Sequence, residues 1–313
     1  MLTFNLLIMK KLLLFVAFLA IVSAVRAQLP NEKFGKPSKM EWEYVGWGDA
    51  VGADAIILCK MMNVTYKLSD QVSNNNATDI EVNWGNIDDF GKNQIDDSNI
   101  LVNFEFKLRT KILKPEGARH ANIDITYYNA DNDKVFSHDD LSDLKIKVFT
   151  KNAKGKVEKR NVNTSSFVTE RVDDNYVVMH VEVPDVQAGS IIEYQYNITS
   201  TRPTFLYDWV FQESIPTVRS KCDIDIPAFL QFKMNAPIHK LVKSSVEVGH
   251  LAYDTNRTDM KRGKTCTTNH YKIVGDYIRP EDPEVAVFTS QIANPNVTVP
   301  AKMPNGSTHL RVK

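Results

Sequence analysis

Apolar and polar residues alternate with a period of two along much of the chain. Such alternation puts successive side chains on opposite faces and is typical of a strand with one buried face. A continuous apolar run, Ala55 to Cys59, predicts a further strand that is buried on both faces. The alternating runs are rich in β-branched and aromatic residues and cover positions 63–68, 102–108, 123–128, 145–149, 176–183 and 191–198.

Turn-forming residues separate these runs. Asn152–Lys156 and Asp173–Asn175 each lie between two strand patterns and predict hairpin loops. Pro184–Gly189 predicts a third connection, in which Gly189 supplies a residue that tolerates positive φ. The order of strands and short turns indicates an antiparallel meander.

Helical periodicity with capping residues is not sustained anywhere after the N-terminal segment, and 139–144 could form one helical turn at most. The chain is therefore predicted to be all-β, a large antiparallel β-sandwich with few or no helices. We expect the sandwich to span residues 28–275 and a Pro-rich tail to span 276–313. The polar stretches 69–98 and 254–269 are predicted to be loops.

The N-terminus has the pattern of a secretory signal peptide. A basic pair, Lys10 and Lys11, precedes the apolar run Leu12–Val22, and small residues lead to a cleavage site at the end of 1–27. Met9 is a candidate for the true start. The run is shorter than the roughly 20 apolar residues that an uncleaved anchor needs. The protein is expected outside the cytoplasm, in the periplasm, at the cell surface or secreted.

The net charge of the chain does not indicate a polyanionic partner. Lys plus Arg equals Asp plus Glu at 38 each, so no overall field favours nucleic acid. After the signal segment no apolar run approaches membrane-spanning length, so no stable span is expected after cleavage.

Three cysteines, Cys59, Cys222 and Cys266, are too few and too far apart for a disulfide framework or a zinc knuckle. An oxidising compartment permits one bridge, and we predict Cys222 with Cys266 because both lie in the second half. Cys59 lies in a buried strand pattern and is expected to pack as a small apolar residue. Cys266 and His270 would be about 13 Å apart in a strand, too far for proton transfer.

Metal and catalytic motifs are also missing from the sequence. The seven histidines have no HExxH or HxH spacing, which gives no support to a zinc hydrolase. Asp131 and Asp133 with His138–Asp140 offer oxygen ligands for calcium, but the downstream Gly and Glu of a calcium loop are absent. No GxSxG elbow or phosphate-binding loop occurs. We expect no catalytic residues, no metal and no cofactor.

An aromatic stripe is the most unusual local composition. Alternation would put Tyr207, Trp209 and Phe211 on one face of a strand. Such a stripe either stacks sugars or seals a core. Both interpretations are open at this point.

Several ordered motifs carry a resemblance to a known family. These motifs are Asp49, Ala53–Leu58, Leu108–Gly117, Val183–Tyr194 and Tyr207–Pro216. With them the sequence, over about 34–237, resembles domain of unknown function 3857, the secreted N-terminal β-sandwich that usually precedes a transglutaminase-like domain in Bacteroidetes proteins.

The resemblance implies a fold similar to the N-terminal domain of zinc aminopeptidases. In the family the catalytic Cys, His and Asp lie in the following domain, and no position up to Lys313 matches them. Three functions stay open. The first is a non-catalytic binding or structural module for an unknown protein or glycan. The second is a truncated fragment of a transglutaminase-like cysteine peptidase, and the third is a polysaccharide-binding module.

Overall fold

The computed structural model describes residues 29–68, 100–130, 138–163, 167–227, 230, 232–235, 242–252, 265–280 and 287–292. Fourteen strands account for most of these described residues. The strands are β1 (Ala55–Leu68), β2 (Ile100–Ile112), β3 (Ile123–Tyr128), β4 (Asp139–Lys151), β5 (Val157–Asn161), β6 (Val168–Arg171), β7 (Tyr176–Val181), β8 (Ile191–Ser200), β9 (Trp209–Val210), β10 (Thr217–Pro227), β11 (Phe232–Asn235), β12 (Val242–Ala252), β13 (Thr265–Ile278) and β14 (Val287–Ile292).

Helical structure among the described residues is short. The helix α1 (Lys39–Glu43) has five residues, and two 3₁₀ turns cover Gly48–Ala50 and Pro115–Ala121. Ser38 begins α1 with a capping box, because its hydroxyl accepts from the Glu41 amide and its own amide donates to the Glu41 carboxylate. The prediction of an all-β chain with few helices is confirmed.

The strands form one large sheet and two small ones. The large sheet has the order β12-β13-β10-β1-β2-β8-β4-β5, and the small sheets have the orders β3-β7-β6 and β11-β14-β9. Neighbouring strands are antiparallel except for β1 and β10, which pair in parallel. The two strands are far apart in sequence, so the chain can return and enter the sheet in the same direction. This parallel pair is the departure from the predicted antiparallel arrangement.

The main core fills one side of the large sheet. Its members come mainly from β1, β2, β4, β8, β10, β12 and β13 of that sheet, from β3 and β7 of a small sheet, and from the segment 206–215. A second, smaller cluster lies on the other side of the sheet, where Ile56 and Leu58 pack below the N-terminal segment. The large sheet therefore has a layer on each face.

Alternation lets β1 contribute to both layers, and a β-bulge changes which of its residues face the main core. The register with β2 shifts between Ile57 and Cys59, and an extra residue in a strand exchanges the faces of the residues that follow. Ile57 belongs to the main core and Ile56 to the smaller cluster, whereas Met62 after the bulge again faces the main core.

The predicted strand runs coincide with or overlap β1, β2, β3, β4, β7 and β8. The predicted turns are also present: Gly189 has φ +86° and Gly155, in the Asn152–Lys156 loop, has φ +74°. These are conformations that favour glycine.

Residues 139–144, for which the sequence allowed one helical turn at most, belong to β4, and a bulge there leaves Asp143 at φ +55°. One local prediction was wrong. Of the predicted loop 254–269, Thr265–Asn269 form the start of β13, which pairs with β12. Pairing with a neighbouring strand overrides the polar composition of both segments. Residues 253–264 and 69–99 lie outside the described residues.

Part of the predicted tail is also ordered in a sheet. β13 continues past residue 275 to Ile278, and β14 pairs with β9 and with β11.

Candidate functional site

The aromatic stripe lies in the core. Tyr207, Trp209 and Phe211 are 4%, 2% and 0% exposed. Trp209 donates its indole N–H to the Ser220 hydroxyl at 3.0 Å, and Tyr207 donates to the Asp139 carboxylate at 2.5 Å. Core packing therefore explains this composition, and the sugar-stacking interpretation is corrected because the three rings have no accessible face. Only Trp209 of the three is in a strand, β9.

The predicted disulfide partners are not brought together. Cys222 is a free, buried thiol, and its cross-strand neighbour on β13 is Ile273. Cys266 lies seven positions from Ile273 along the same strand, a distance of roughly 23 Å at the strand rise. Bridged cysteines have Cα atoms within about 7 Å.

The two described thiols are also poor nucleophiles. Burial raises the pKa of Cys59 to about 12, and burial raises the pKa of Cys222 well above its ordinary value. A reactive cysteine needs a lowered pKa and access to solvent. Cys59 packs as the buried strand residue that the sequence predicted.

Buried charges serve the scaffold. Arg109, Glu41 and Glu193 are all 0% exposed, and the Arg109 guanidinium lies 2.5 Å from Glu41 and 2.6 Å from Glu193. The same guanidinium donates to the carbonyls of Asn31 and Lys33, both at 2.7 Å. This cluster joins the N-terminal segment to the outer face of the large sheet.

Two further buried pairs lie on the core side. Asp139 accepts from Arg202 at 2.9 Å, and Lys60 contacts Glu213 while its ammonium lies 4.7 Å from the centre of the Trp209 ring. These charges are paired, as buried charges must be to avoid a large desolvation penalty. They are structural rather than open to a ligand.

An open cleft of about 370 Å³ lies at one end of the large sheet, where β1 and β10 begin. It is the candidate functional site. Its walls come from four separate parts of the chain: the segment before β1, the 3₁₀ turn after β2, the segment before β10 and the residues just after β13. The lining residues are 50–54, Arg119, His120, 214–216 and Pro280.

The sequence builds this cleft through a close backbone contact. The Asp54 carbonyl accepts from the amides of Leu113 at 2.8 Å and Lys114 at 3.0 Å. A Cβ atom at Gly117 would lie 2.1 Å from the same carbonyl, so only glycine fits there. The tight turn at Gly117 brings Arg119 and His120 to the cleft.

The charges of the cleft centre on Asp54. Its carboxylate lies 3.1 Å from the Lys114 ammonium and 3.3 Å from the Arg119 guanidinium. The hydrogen bond from Lys114 is the main reason why the pKa of Asp54 lies below its ordinary value. The Arg119 guanidinium also donates to the Glu116 carbonyl at 3.2 Å, and the Arg119 side chain is 63% exposed.

His120 provides an unused polar atom. The residue is 9% exposed, and its buried Nε2 has no hydrogen-bond partner among the described residues. Burial, assisted by the charge of Arg119, lowers the pKa of His120. The neutral imidazole can donate from one nitrogen and accept at the other, but its Nε2 has almost no surface that a ligand could contact.

Sequence reasoning missed this site, although its segments were visible. Ala53–Leu58, Leu108–Gly117 and Tyr207–Pro216, three of the motifs that carried the family resemblance, converge at or beside the cleft. The motifs alone do not show that these segments meet in the fold, because the contact between Gly117 and Asp54 depends on the register of β1 with β2.

No group of three or more His, Cys, Asp or Glu side chains in the described ranges could hold a metal ion. His180 pairs with Asp124 at 2.7 Å, and His270 pairs with Asp225 at 2.8 Å. The sequence candidates Asp131 and Asp133 lie outside the described residues. Within the described part of the chain, no helix has the length and apolar character to cross a membrane.

The fold and the cleft define an all-β domain with one face of its large sheet covered by its own N-terminal segment. The family described as "Domain of Unknown Function with solved-structure structure (DUF3857)" matches residues 101–262, just over half of the sequence. The chain belongs to this family.

A solved structure is similar over part of its length. It is the crystal structure of a "putative protease" from Parabacteroides distasonis ATCC 8503, with 13% identity and a TM-score of 0.43. The likeness covers 75% of this chain and 39% of that one, so the chain spans well under half of its length. No curated protein matches.

Proposed function

We propose that this chain is a non-catalytic β module that works outside the cytoplasm by binding another protein through the cleft at the start of β1 and β10. The observation that carries the proposal is the 63% exposed guanidinium of Arg119 in the lining of this cleft. The other buried charges described above are paired within the scaffold.

The shape and charge of the cleft suit an extended peptide that presents a carboxylate. Arg119 offers a planar set of donors that matches a carboxylate. Asp54 and the Glu116 carbonyl hold Arg119 on the rim, and the exposed guanidinium favours an anionic group.

Two observations support a module without its own nucleophile. Both described thiols are buried and have raised pKa values. The alternative, a fragment of a transglutaminase-like cysteine peptidase, would have its accessible thiol and base in a following domain, so these thiols do not distinguish it from a free-standing module. The proposal therefore predicts no hydrolysis of peptide substrates by this chain, and turnover above that of a heat-inactivated sample would contradict it.

Selection of peptides tests the binding role. A random peptide library with free C-termini is displayed on phage and selected on the mature protein and on Arg119→Gln. Arg171→Gln, an exposed residue of β6 outside the cleft lining, is the matched control. We expect acidic or C-terminal peptides that bind wild type and the control but bind Arg119→Gln at least tenfold more weakly.

Equal binding to all three proteins would exclude the cleft, and failure to select any peptide would exclude the peptide ligand. A parallel glycan array separates the remaining alternative. Glycan binding that is insensitive to Arg119→Gln would favour a polysaccharide module with a different site.

The extracytoplasmic location rests on the signal-like segment 1–27. It predicts that the mature protein begins at Gln28 when it is expressed in a bacterial host with an intact secretion system. N-terminal sequencing of the periplasmic fraction provides the measurement. A product that retains Met1 or Met9 would contradict this proposal.

A further inference from the structure

β12 ends the large sheet with an exposed edge. Its inner neighbour is β13, and no described strand pairs with its other side. Residues 243–248 are all exposed, including Val246 at 61% and Val248 at 72%. An edge strand with free N–H and C=O groups is a template for pairing with another strand.

The opposite edge of the same sheet shows what a protected edge looks like. β5 has five residues, and Lys159 and Arg160 place like charges on it. Short length and basic side chains discourage pairing with a second chain. β12 has eleven residues and no such block of like charge.

The apolar face of the sheet continues onto β12. Val242, Val246 and Val248 point to the same face by alternation, and their register places Val246 beside Tyr271 of β13. Val242 is 9% exposed and packs in the main core, whereas the other two valines lie beyond it. The uncovered apolar surface is therefore an extension of the core face rather than a set of scattered residues.

We propose that β12 pairs antiparallel with β12 of a second copy of this chain, about a two-fold axis through Ser245. A two-fold axis perpendicular to the sheet keeps each side chain on its own face, and residues directly opposite each other share a face. The axis must therefore pass midway between the two copies of one residue. With Ser245 at the centre, Lys243 lies opposite Glu247 of the partner subunit, and the pair occurs twice. Val242 lies opposite Val248 of the partner subunit on the apolar face.

Charge pairing favours the register centred on Ser245 over the registers centred on nearby residues. A centre at Ser244 opposes Lys243 with a serine, and a centre at Val246 opposes it with a glycine. A centre at Glu247 brings two glutamates together, which is unfavourable for directly opposed strand residues. Only the Ser245 centre pairs both opposite charges, so charge complementarity favours a second copy in this one arrangement.

Sedimentation velocity of the mature full chain over a range of concentrations tests the proposal. We expect a reversible monomer–dimer equilibrium. Glu247→Lys would place lysines opposite each other twice and weaken dimerisation by about tenfold or more, and Lys243→Glu would do the same with glutamates. The double variant Lys243→Glu/Glu247→Lys restores the opposite charges and should dimerise like wild type.

Lys159→Glu on β5 is the control and should leave the equilibrium unchanged. All of the substituted side chains are exposed, so Glu247→Lys and Lys159→Glu are expected to unfold at the wild-type temperature. Lys243→Glu replaces a cation near Asp276, so its melting temperature is compared with that of the double variant. A chain that stays monomeric at every concentration would overturn the proposal. Dimerisation that the charge reversals do not weaken, or that the double variant does not restore, would overturn the register. Neither outcome depends on the peptide cleft.

Discussion

Replacement of Glu193 by Gln tests how the N-terminal segment is held on the sheet. Glu193 is fully buried and lies 2.6 Å from Arg109, and its other oxygen accepts from the Gly35 amide at 2.5 Å. Burial raises the pKa of Glu193, so the carboxylate does not gain free energy from being buried by itself. Glu193 stabilises the fold because its negative charge compensates the buried guanidinium of Arg109.

The size of the effect follows from what remains around Arg109. The variant keeps Glu41 and the two backbone carbonyls as acceptors, but it removes one of the two negative charges. Its amide group also places N–H donors where Glu193 had only acceptors. Removal of one partner from a buried ion pair destabilises by about 3–5 kcal/mol, and the remaining acceptors place this case near the lower end.

Urea denaturation followed by tryptophan fluorescence gives the free energy of unfolding. We expect Glu193→Gln to lower it by about 3 kcal/mol, and we expect faster proteolysis near Asn31–Lys33 because the cluster holds that segment. The matched control is Glu43→Gln, whose pair with Lys39 is exposed at 64% and 90% and should change stability by less than about 0.5 kcal/mol. A loss below about 1 kcal/mol for Glu193→Gln would refute the compensating role of Glu193.

Three further changes are predicted. Gly117→Ala should lower the free energy of unfolding by about 2 kcal/mol or more, measured by urea denaturation, because the new Cβ would collide with the Asp54 carbonyl. Trp209→Ala should lower it by about 3–5 kcal/mol in the same assay, through loss of a buried ring. His120 has a lowered pKa in the folded state, so below about pH 6.5 the unfolded chain binds the proton more readily. The stability contributed by His120 should therefore fall as the pH falls below that value, and His120→Gln should remove this part of the pH dependence in melting curves.

Each of these three predictions has a control or an outcome that would contradict it. A Cβ atom at Gly155 would meet no other atom within 4 Å, so Gly155→Ala introduces only a strained φ and should cost less than Gly117→Ala. Equal losses at the two glycines would refute the collision. A small loss for Trp209→Ala would contradict its place in the core. An identical pH dependence for wild type and His120→Gln would contradict the buried, neutral imidazole.

The apolar and alternating runs locate six of the fourteen described strands, β1–β4, β7 and β8, whereas β5 and β6 have no buried residue and give no such pattern. β3 coincides with its predicted run, and Gly189 has the positive φ expected from its turn. The parallel pairing of β1 with β10 could not be predicted, because alternation specifies which face is buried but not which strand lies alongside. The bulge between Ile57 and Cys59 escapes pattern analysis for the same reason.

The candidate site was less accessible to sequence analysis than the fold. Asp54, Arg119 and His120 are ordinary surface-type residues in sequence, and long-range pairing of β1 with β2 brings them to one cleft. The aromatic stripe was a candidate site because of its composition, yet composition cannot distinguish aromatic residues that pack in a core from aromatic residues that bind sugars. Burial of Tyr207, Trp209 and Phe211 decides for the core.

Chemical-shift mapping by NMR tests the central claim most directly. The mature protein, labelled with ¹⁵N, is titrated with a peptide selected on the wild type, and the same peptide with an amidated C-terminus serves as the control. We predict that the largest amide shifts cluster at 50–54, Arg119, His120 and 214–216, and that Arg119→Gln abolishes them. Shifts that cluster elsewhere on the domain, or that persist unchanged in Arg119→Gln, would contradict the cleft as the binding site.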